Sequence, residues 1–566
     1  MKILDCTLRD GGYYTNWNFD KQLVRDLIHS LDFAKVDIIE LGYKSPKKGG
    51  LYRKCNDRFI WDTLDNALPV NSELAFMIDA KDFIKEDEVD YSLIDDVIHQ
   101  ASNSPFTICR LAIKSSELYP AVDIGKYILQ KGYKLIVNLM GISLLDEKEI
   151  SEVVTVLNEL DHQAIYFADS YGNLTPERTA ELMQQFTELT NNVGIHTHDN
   201  LGLAFANCLE AFNCGVSYID GTLLGMGRGV GNVKTEQLIA YFENKDLDYI
   251  SKPINKFVYK WMTPLKEKYK WGFTHNYLIS GLNHIHPLYT QTLQSTFLDP
   301  TSIENIITGI ENSTTFDASK IEDKMKPKVA VIIPARYKSS RFPGKPLAKI
   351  HDKEMIIWVS EIAEKAVGKD NVYIATENEE IVDKVKAWGY KVILTSDDCL
   401  TGTDRVAQAA LEVDADIIVN IQGDEPMLDP SDITKVIDAK LQNPNHVINC
   451  FAYLNNSEDV TDKKIPKIIT NINDELIYSS RNAIPGTKIG NGSNPKKQVC
   501  IYAFTREELK LFTEDNQKTP LEFQEDIEIL RFIEKGVKVK MIELSSETCA
   551  VDYPEDVQLV EKLIVK

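Results

Sequence analysis

No two cysteines of this 566-residue chain stand in a CxxC pair, and their number, nine, is odd. Scattered as Cys6, Cys55, Cys109, Cys208, Cys214, Cys399, Cys450, Cys500 and Cys549, they read as reduced, mostly buried thiols and exclude a disulfide framework. Long apolar runs are missing too. Nothing approaches the roughly 20 residues of a membrane span, and the start, MKILDCTLRDGG, places Asp5, Arg9 and Asp10 where a signal peptide needs an unbroken apolar stretch. The expectation is a cytoplasmic protein without a membrane partner. Positive charge is in deficit: the formal net charge is −22, no basic patch stands out, and a nucleic-acid partner is excluded. Low-complexity tracts are absent, and with 43% apolar residues disorder is not the expectation.

What is present is too long for one core and suits two large domains or three ordinary ones. Up to about residue 225, short β-branched runs alternate with amphipathic helical stretches: KILDCT, VDIIELGY, ELAFMID, FTICRLAI, KLIVNLMG, AIYFADS, VGIHTHD and YIDGTLLG. Eight βα repeats predict a closed (β/α)8 TIM barrel over 1–240, with its active site at the C-terminal strand ends. Residues 241–310 read as a helical extension, and 311–327, which lose apolar periodicity and end on a Pro, as a linker. From 328 to 566 a second α/β pattern runs through VAVIIPARYKSSRFPGKPL, VYIATE, VILTS and DIIVNIQGDEP, and predicts an open, doubly wound, Rossmann-like sheet.

In VGIHTHDN, His196 and His198 are two apart on a strand and project to one face. Asp10, read as ending the first strand, offers a carboxylate from nearby around the mouth. Two imidazoles and a carboxylate leave positions open for substrate and suit Mn²⁺ first, with Co²⁺, Zn²⁺ or Mg²⁺ as alternatives. Arg9, Glu40, Arg110, Asn138, Asp169 and the loop GMGRGVGN converge on the same rim as candidate substrate contacts, though Glu40, Asn138 and Asp169 individually suit a layer of hydrogen-bonded barrel-end residues equally well.

The motifs DCTLRDGG, HTHDNLGLAFAN and GMGRGVGN resemble the pyruvate-aldolase branch of the HMG-CoA lyase-like (DRE-TIM metallolyase) superfamily, similar to 4-hydroxy-2-oxovalerate aldolases. The resemblance implies that Asp10, His196 and His198 bind the metal, that Arg9 stabilises an enolate oxygen, and that Asn232 is a further ligand or a neighbour of one. Tyr13 stands where those aldolases carry an acid/base histidine, and it is the candidate to relay the proton.

In the second half, Arg336, Lys338, Arg341 and Lys345 alternate with Ser339, Ser340 and Gly344 in a loop able to wrap phosphates, without Walker A spacing. Asp424 and Asp552 are candidates to hold Mg²⁺ against a triphosphate. PARYKSSRFPGKPL, TGTDR, NIQGDEP, SRNAIP and VDYPED resemble the CMP-3-deoxy-manno-octulosonate synthetases. That resemblance implies that Arg336, Arg341 and Lys345, assisted by Ser340, grip CTP, that Gly402, Thr403, Asp404 and Arg405 lie near the nucleotide, and that Gln422 and Asp424 form the catalytic centre. It puts Arg481 on the sugar carboxylate and makes PLEFQEDIEILRF, with Glu522 and Glu525, the sugar-binding helix. Ile529 replaces an expected glutamine and Gln498 a histidine, which predicts a shorter or less hydroxylated acid.

Together the halves predict a bifunctional enzyme, expected as a homo-oligomer, that joins pyruvate to an aldehyde and activates the resulting 2-ulosonic acid with CTP for a surface polysaccharide. The alternatives are a barrel that only binds or assembles, and a barrel that runs a Claisen reaction on acetyl-CoA.

Overall fold

Each of the eight runs expected of the barrel becomes a strand: β1 (Lys2–Asp5), β2 (Ile38–Tyr43), β3 (Glu73–Asp79), β4 (Ile108–Ile113), β5 (Lys134–Met140), β6 (His162–Asp169), β7 (Val193–Thr197) and β8 (Tyr218–Gly221). They are parallel, paired in chain order, and closed by β8 on β1. This computed structural model describes residues 1–296, 298–311, 313–338, 342–455, 458–486, 495–544 and 550–564. They form two units, Met1–Met325 and Lys326–Lys566.

The barrel strands are buried on both faces, which is why they read as near-continuous apolar runs. Period-two geometry then sorts the lumen into layers. Ile38, Ile108, Ile136 and Tyr218 belong to an apolar plug. Two residues on along the same strands come Glu40, Arg110, Asn138 and Asp220, so a polar layer lies over the plug on the mouth side. Outside the barrel, helices pack by the 3.6-residue period. In Lys21–Phe33, Leu23, Val24, Leu27, Ile28 and Leu31 face the core, and the Asp20 carboxylate accepts the first free N–H groups.

Two details differ from the sequence reading. Asp10 does not end the first strand; it lies in the first turn of the helix Thr7–Thr15 that follows. Glu40 does not end the second, which runs on to Tyr43 with a register irregularity in between.

Helices His275–Leu282, Pro287–Gln294 and Pro300–Thr308 share a separate small core of Ile285, Tyr289, Leu293, Ile303 and Ile307. The 311–327 stretch contributes fully buried Ile321 to that core, with Phe316 packed against Tyr289. Asn200, just beyond β7, donates to the Tyr277 carbonyl at 2.8 Å, which ties the extension to the barrel mouth.

In the second unit, β9 (Val329–Ala335), β10 (Val372–Thr376), β11 (Lys391–Leu394) and β12 (Ile417–Ile421) form a parallel sheet in the order β11-β10-β9-β12. These are the strands legible in the sequence. The open sheet is mixed, however. With β13 (Val447–Tyr453), β14 (Lys467–Thr470), β15 (Leu476–Ser480), β16 (Lys496–Phe504) and β17 (Val539–Glu543), it continues from β12 through antiparallel β16 to β13 and β17, and β14 and β15 form a hairpin on β16. Among the described residues no helix is long and apolar enough to cross a membrane.

Candidate functional site

At the barrel mouth, potential ligand atoms of Asp10, His196 and His198 all lie within 4.8 Å of one another, and all three residues are buried. Asp10 Oδ2 stands 3.4 Å from His196 Nε2. That spacing suits ligands about 2 Å from one shared divalent ion. The outer ring nitrogens are already committed: His196 Nδ1 meets Asp220 Oδ2 at 2.8 Å, and His198 Nδ1 meets the Asp169 carbonyl at 2.8 Å. Each contact leaves Nε2 as the lone-pair nitrogen for a metal. The Asn232 amide donates to Asp10 Oδ2 at 2.7 Å and lies 3.2 Å from His196 Nε2, while its buried oxygen has no partner. A half-turn of the amide would aim that oxygen into the cluster.

The protonation states agree with this donor set. Burial opposes ionisation of Asp10, yet the Arg9 guanidinium and the two imidazoles hold its carboxyl well below the usual range. Burial, helped by His196, pushes His198 down to about 3, so the ring is neutral as a ligand must be. Cys6, with His196 and Asp220, forms a second possible trio. Burial raises that thiol far above its ordinary value, however, and Asp220 is held by Arg110.

Beneath the cluster lies the polar layer. Arg110 donates to Glu40 at 3.0 Å, to Asn138 at 3.2 Å and to Asp220 at 2.6 Å. Arg9 donates through Nε to the same Glu40 oxygen at 2.9 Å and pairs with Asp10, which leaves its buried NH2 group without a partner. Glu40, Arg110 and Asn138 therefore brace the site from below. Asp169 is turned away: its carboxylate accepts the N–H groups of Asn173 and Leu174, and burial lifts it to about 7. Asp220 escaped the sequence reading, although its place two residues after inward-facing Tyr218 was a usable signal. The Tyr13 hydroxyl lies 3.5 Å from that of Tyr43, whose own ionisation burial and Tyr13 suppress.

In the second unit a cleft of about 500 Å³ is lined by Arg336, Lys345, Gly402, Gln422, Asp424 and Asp552, among others. Lys345 Nζ donates to Asp424 at 2.5 Å and stands 3.6 Å from Asp552, so both carboxylates converge on one cationic point, as an ion bridging them to phosphates requires. Arg405 lines the same cleft but is paired with Glu377 at 2.9 Å. Ser340 and Arg341 lie outside the described residues. Glu528, absent from the sequence-based candidates, accepts from the N–H groups of Gly402 at 3.1 Å and Thr403 at 2.9 Å, at the start of helix Gly402–Ala410.

Other candidates are not brought into the cleft. Asp404 and Glu522 both clasp fully buried Arg531, at 2.8 and 2.6 Å, and serve as a structural ion triad. Arg481 is tied to the carbonyls of Glu525, Lys463 and Asp526, and the Glu525 carboxylate receives the Arg481 N–H. Gln498 is buried against Asn449 at 3.0 Å, and Ile529 packs in the apolar core. Arg531→Met should leave two buried carboxylates unpaired and cost about 3–5 kcal/mol. Calorimetry would read this as a lower Tm for the second unit, and an unchanged Tm would disprove the structural role.

Comparison with known proteins agrees with both halves. A cytidylyltransferase family profile matches residues 330–541, and an HMGL-like profile matches residues 1–256. A mitochondrial 3-deoxy-manno-octulosonate cytidylyltransferase from Arabidopsis thaliana is 38% identical over 247 residues, covering 43% of this chain and 84% of that protein. An 8-amino-3,8-dideoxy-manno-octulosonate cytidylyltransferase from Shewanella woodyi is 37% identical over 241 residues, covering 41% of this chain and 97% of that protein. The crystal structure of the N-terminal domain of a provisionally assigned aldolase from Bacteroides vulgatus is 28% identical, with a TM-score of 0.46, and covers 55% of this chain and 98% of that one. Through its second unit the chain belongs to the 3-deoxy-manno-octulosonate cytidylyltransferase family, and ahead of that unit stands a barrel that matches the HMGL-like profile.

Proposed function

We propose that the chain builds a 2-ulosonic acid in the barrel and activates it in the second unit. The observation that carries the first step is the convergence of Asp10, His196 and His198 beside an arginine with an unused donor, Arg9. A divalent ion in that cluster, Mn²⁺ foremost, would acidify the methyl protons of pyruvate and stabilise the enolate. The free NH2 of Arg9 donates to the enolate oxygen. The enolate carbon then bonds to the aldehyde carbon, whose oxygen takes a proton from Tyr13, and the proton that left the methyl carbon restores Tyr13, whose hydroxyl lies 3.5 Å from that of Tyr43. The product is a 4-hydroxy-2-oxo acid, which cyclises when it carries a suitably placed hydroxyl.

In the second unit Asp424 and Asp552 suit Mg²⁺, while Arg336 and Lys345 suit the triphosphate. The anomeric hydroxyl oxygen bonds to the α-phosphorus of CTP, its proton leaves, and the bond to pyrophosphate breaks. The two relatives above are named for different sugar acids, and the acid activated here is one of that 2-ulosonic class. A catalytically silent barrel is the second reading, favoured by Tyr13 in place of a histidine. Incubating the protein with pyruvate, candidate aldehydes, CTP, Mn²⁺ and Mg²⁺ should yield a CMP-sugar acid with stoichiometric pyrophosphate. If no barrel product is ever cytidylylated, the two-step reading is wrong.

A further inference from the structure

A cation without an acidic partner among the described residues stands near enough to the candidate metal cluster for its charge to act on His198. Arg228 belongs to the glycine-rich loop that also carries Asn232. Its guanidinium stands 5.4 Å from the Tyr13 ring centroid, and its Nε is buried without a partner. Among the described residues no carboxylate pairs with it. In a chain with 85 acidic and 63 basic residues, a half-buried guanidinium left without an anion is costly unless a ligand supplies one.

The loop is held in place. The Gly229 N–H donates to Gln291 at 3.3 Å, the Gly229 carbonyl accepts from Tyr14 at 2.7 Å, and a Cβ on Gly229 would stand 3.0 Å from Pro287. The helix Pro287–Gln294 therefore lies against it. His286, the residue before that helix, accepts the Leu288 N–H on Nδ1, so its Nε2 carries the proton. Burial first, then the charges of Arg228, Lys114 and Lys81, hold this imidazole down at about 2, which makes it a neutral donor among cations. Lys81 and Lys114 follow β3 and β4 at the mouth. The acids facing them are Asp79, which pairs with Lys81 at 2.7 Å, Asp82, which acts on Lys81 but pairs with Lys47, and Glu117, which caps the Lys114 N–H. The cations are thus in excess.

We infer that the aldehyde accepted by the barrel carries an anionic group, phosphate or carboxylate, remote from its carbonyl, and that Arg228, with Lys114 and the His286 N–H, is its anchor. The inference rests on the aldol reading above. Depth separates this anion from the carboxylate of pyruvate. Arg9 and the metal cluster are buried, whereas Arg228 and Lys114 are half-buried and Lys81 is exposed. Pyruvate fits below and the second substrate above. A phosphate makes the stronger bidentate partner for a guanidinium, and a carboxylate the smaller one.

The test compares acceptors within one enzyme. With pyruvate and Mn²⁺, glyceraldehyde 3-phosphate is set against glyceraldehyde, and succinic semialdehyde against butyraldehyde; the pair with the larger ratio identifies the anion. At least one anionic acceptor should show kcat/KM about tenfold or more above its neutral counterpart. In Arg228→Gln, shown to bind Mn²⁺ as the parent does, that ratio should fall toward one, and Arg228→Lys should keep part of it. Neutral acceptors used as well as anionic ones, while pyruvate methyl protons exchange normally, would overturn the inference and leave the aldol reading intact. A raised pyruvate KM for exchange in Arg228→Gln, with the acceptor ratio unchanged, would overturn it by assigning Arg228 to pyruvate. Absence of exchange in the parent overturns both.

Discussion

Asp10→Asn should abolish the metal-dependent exchange of pyruvate methyl protons into D₂O. The change removes the only carboxylate of the ligand trio and one of the two acids that pair with Arg9, so that a neutral ligand set lies beside a buried guanidinium balanced by Glu40 alone. Neutral ligands hold a hard divalent ion poorly, and an arginine that keeps only Glu40 as its acidic partner repels the ion more strongly. The loss should exceed about 100-fold, beyond the roughly 10–100-fold expected of Asp220→Asn, which is no ligand of the trio and acts through the outer nitrogen of His196 and its ion pair with Arg110. Chelation of the parent should reproduce it, and Mn²⁺ should restore the parent but not the variant. NMR of the pyruvate methyl signal together with bound-metal analysis reads both quantities. Exchange at parental rate in Asp10→Asn would refute the metal site.

Asp424→Asn should remove cytidylyl transfer, by about 100-fold or more, while leaving that exchange intact. Asp424 and Asp552 reach the same ammonium of Lys345 in the cleft. With one of the two neutralised, Mg²⁺ loses half of its protein charge, and Lys345 loses the acceptor that positions it for the triphosphate. Pyrophosphate release measures the first activity and deuterium incorporation the second. Retained transfer would dismiss Asp424 from the centre. Loss of both activities would mean that the two halves depend on each other for folding or chemistry.

The barrel was legible because strands buried on both faces leave continuous apolar runs, and because a two-residue spacing on a strand fixes His196 and His198 to one side. Asp10 was placed on the wrong element for a physical reason. The helix Thr7–Thr15 contains Gly11 and Gly12, poor helix formers, and exists because of packing: a Cβ on Gly12 would fall 2.1 Å from the Trp17 indole nitrogen. Packing of that kind leaves no periodic trace.

In the second unit the motifs located Lys345, Asp424 and Asp552 together, since short loops beyond strand ends fold close to where they are written. The pairing of Asp404 and Glu522 with Arg531 was not legible, since Arg531 is 127 residues from one of them. No local pattern announces such a pairing. Glu528 was overlooked for the converse reason: its partners are backbone N–H groups, which every residue owns.

The burial of Ile321 bears on how the protein can be dissected. A barrel fragment cut at residue 310 would forfeit an isoleucine with no exposed surface, at a cost of about 2 kcal/mol, and uncover Tyr289 and Ile307. The damage would reach the loop bearing Arg228 and Asn232 through Pro287 and Gln291, so such a fragment would lose activity for reasons unrelated to its missing half. A fragment ending at Met325 keeps that clasp closed and is the one on which the barrel's chemistry can be judged alone.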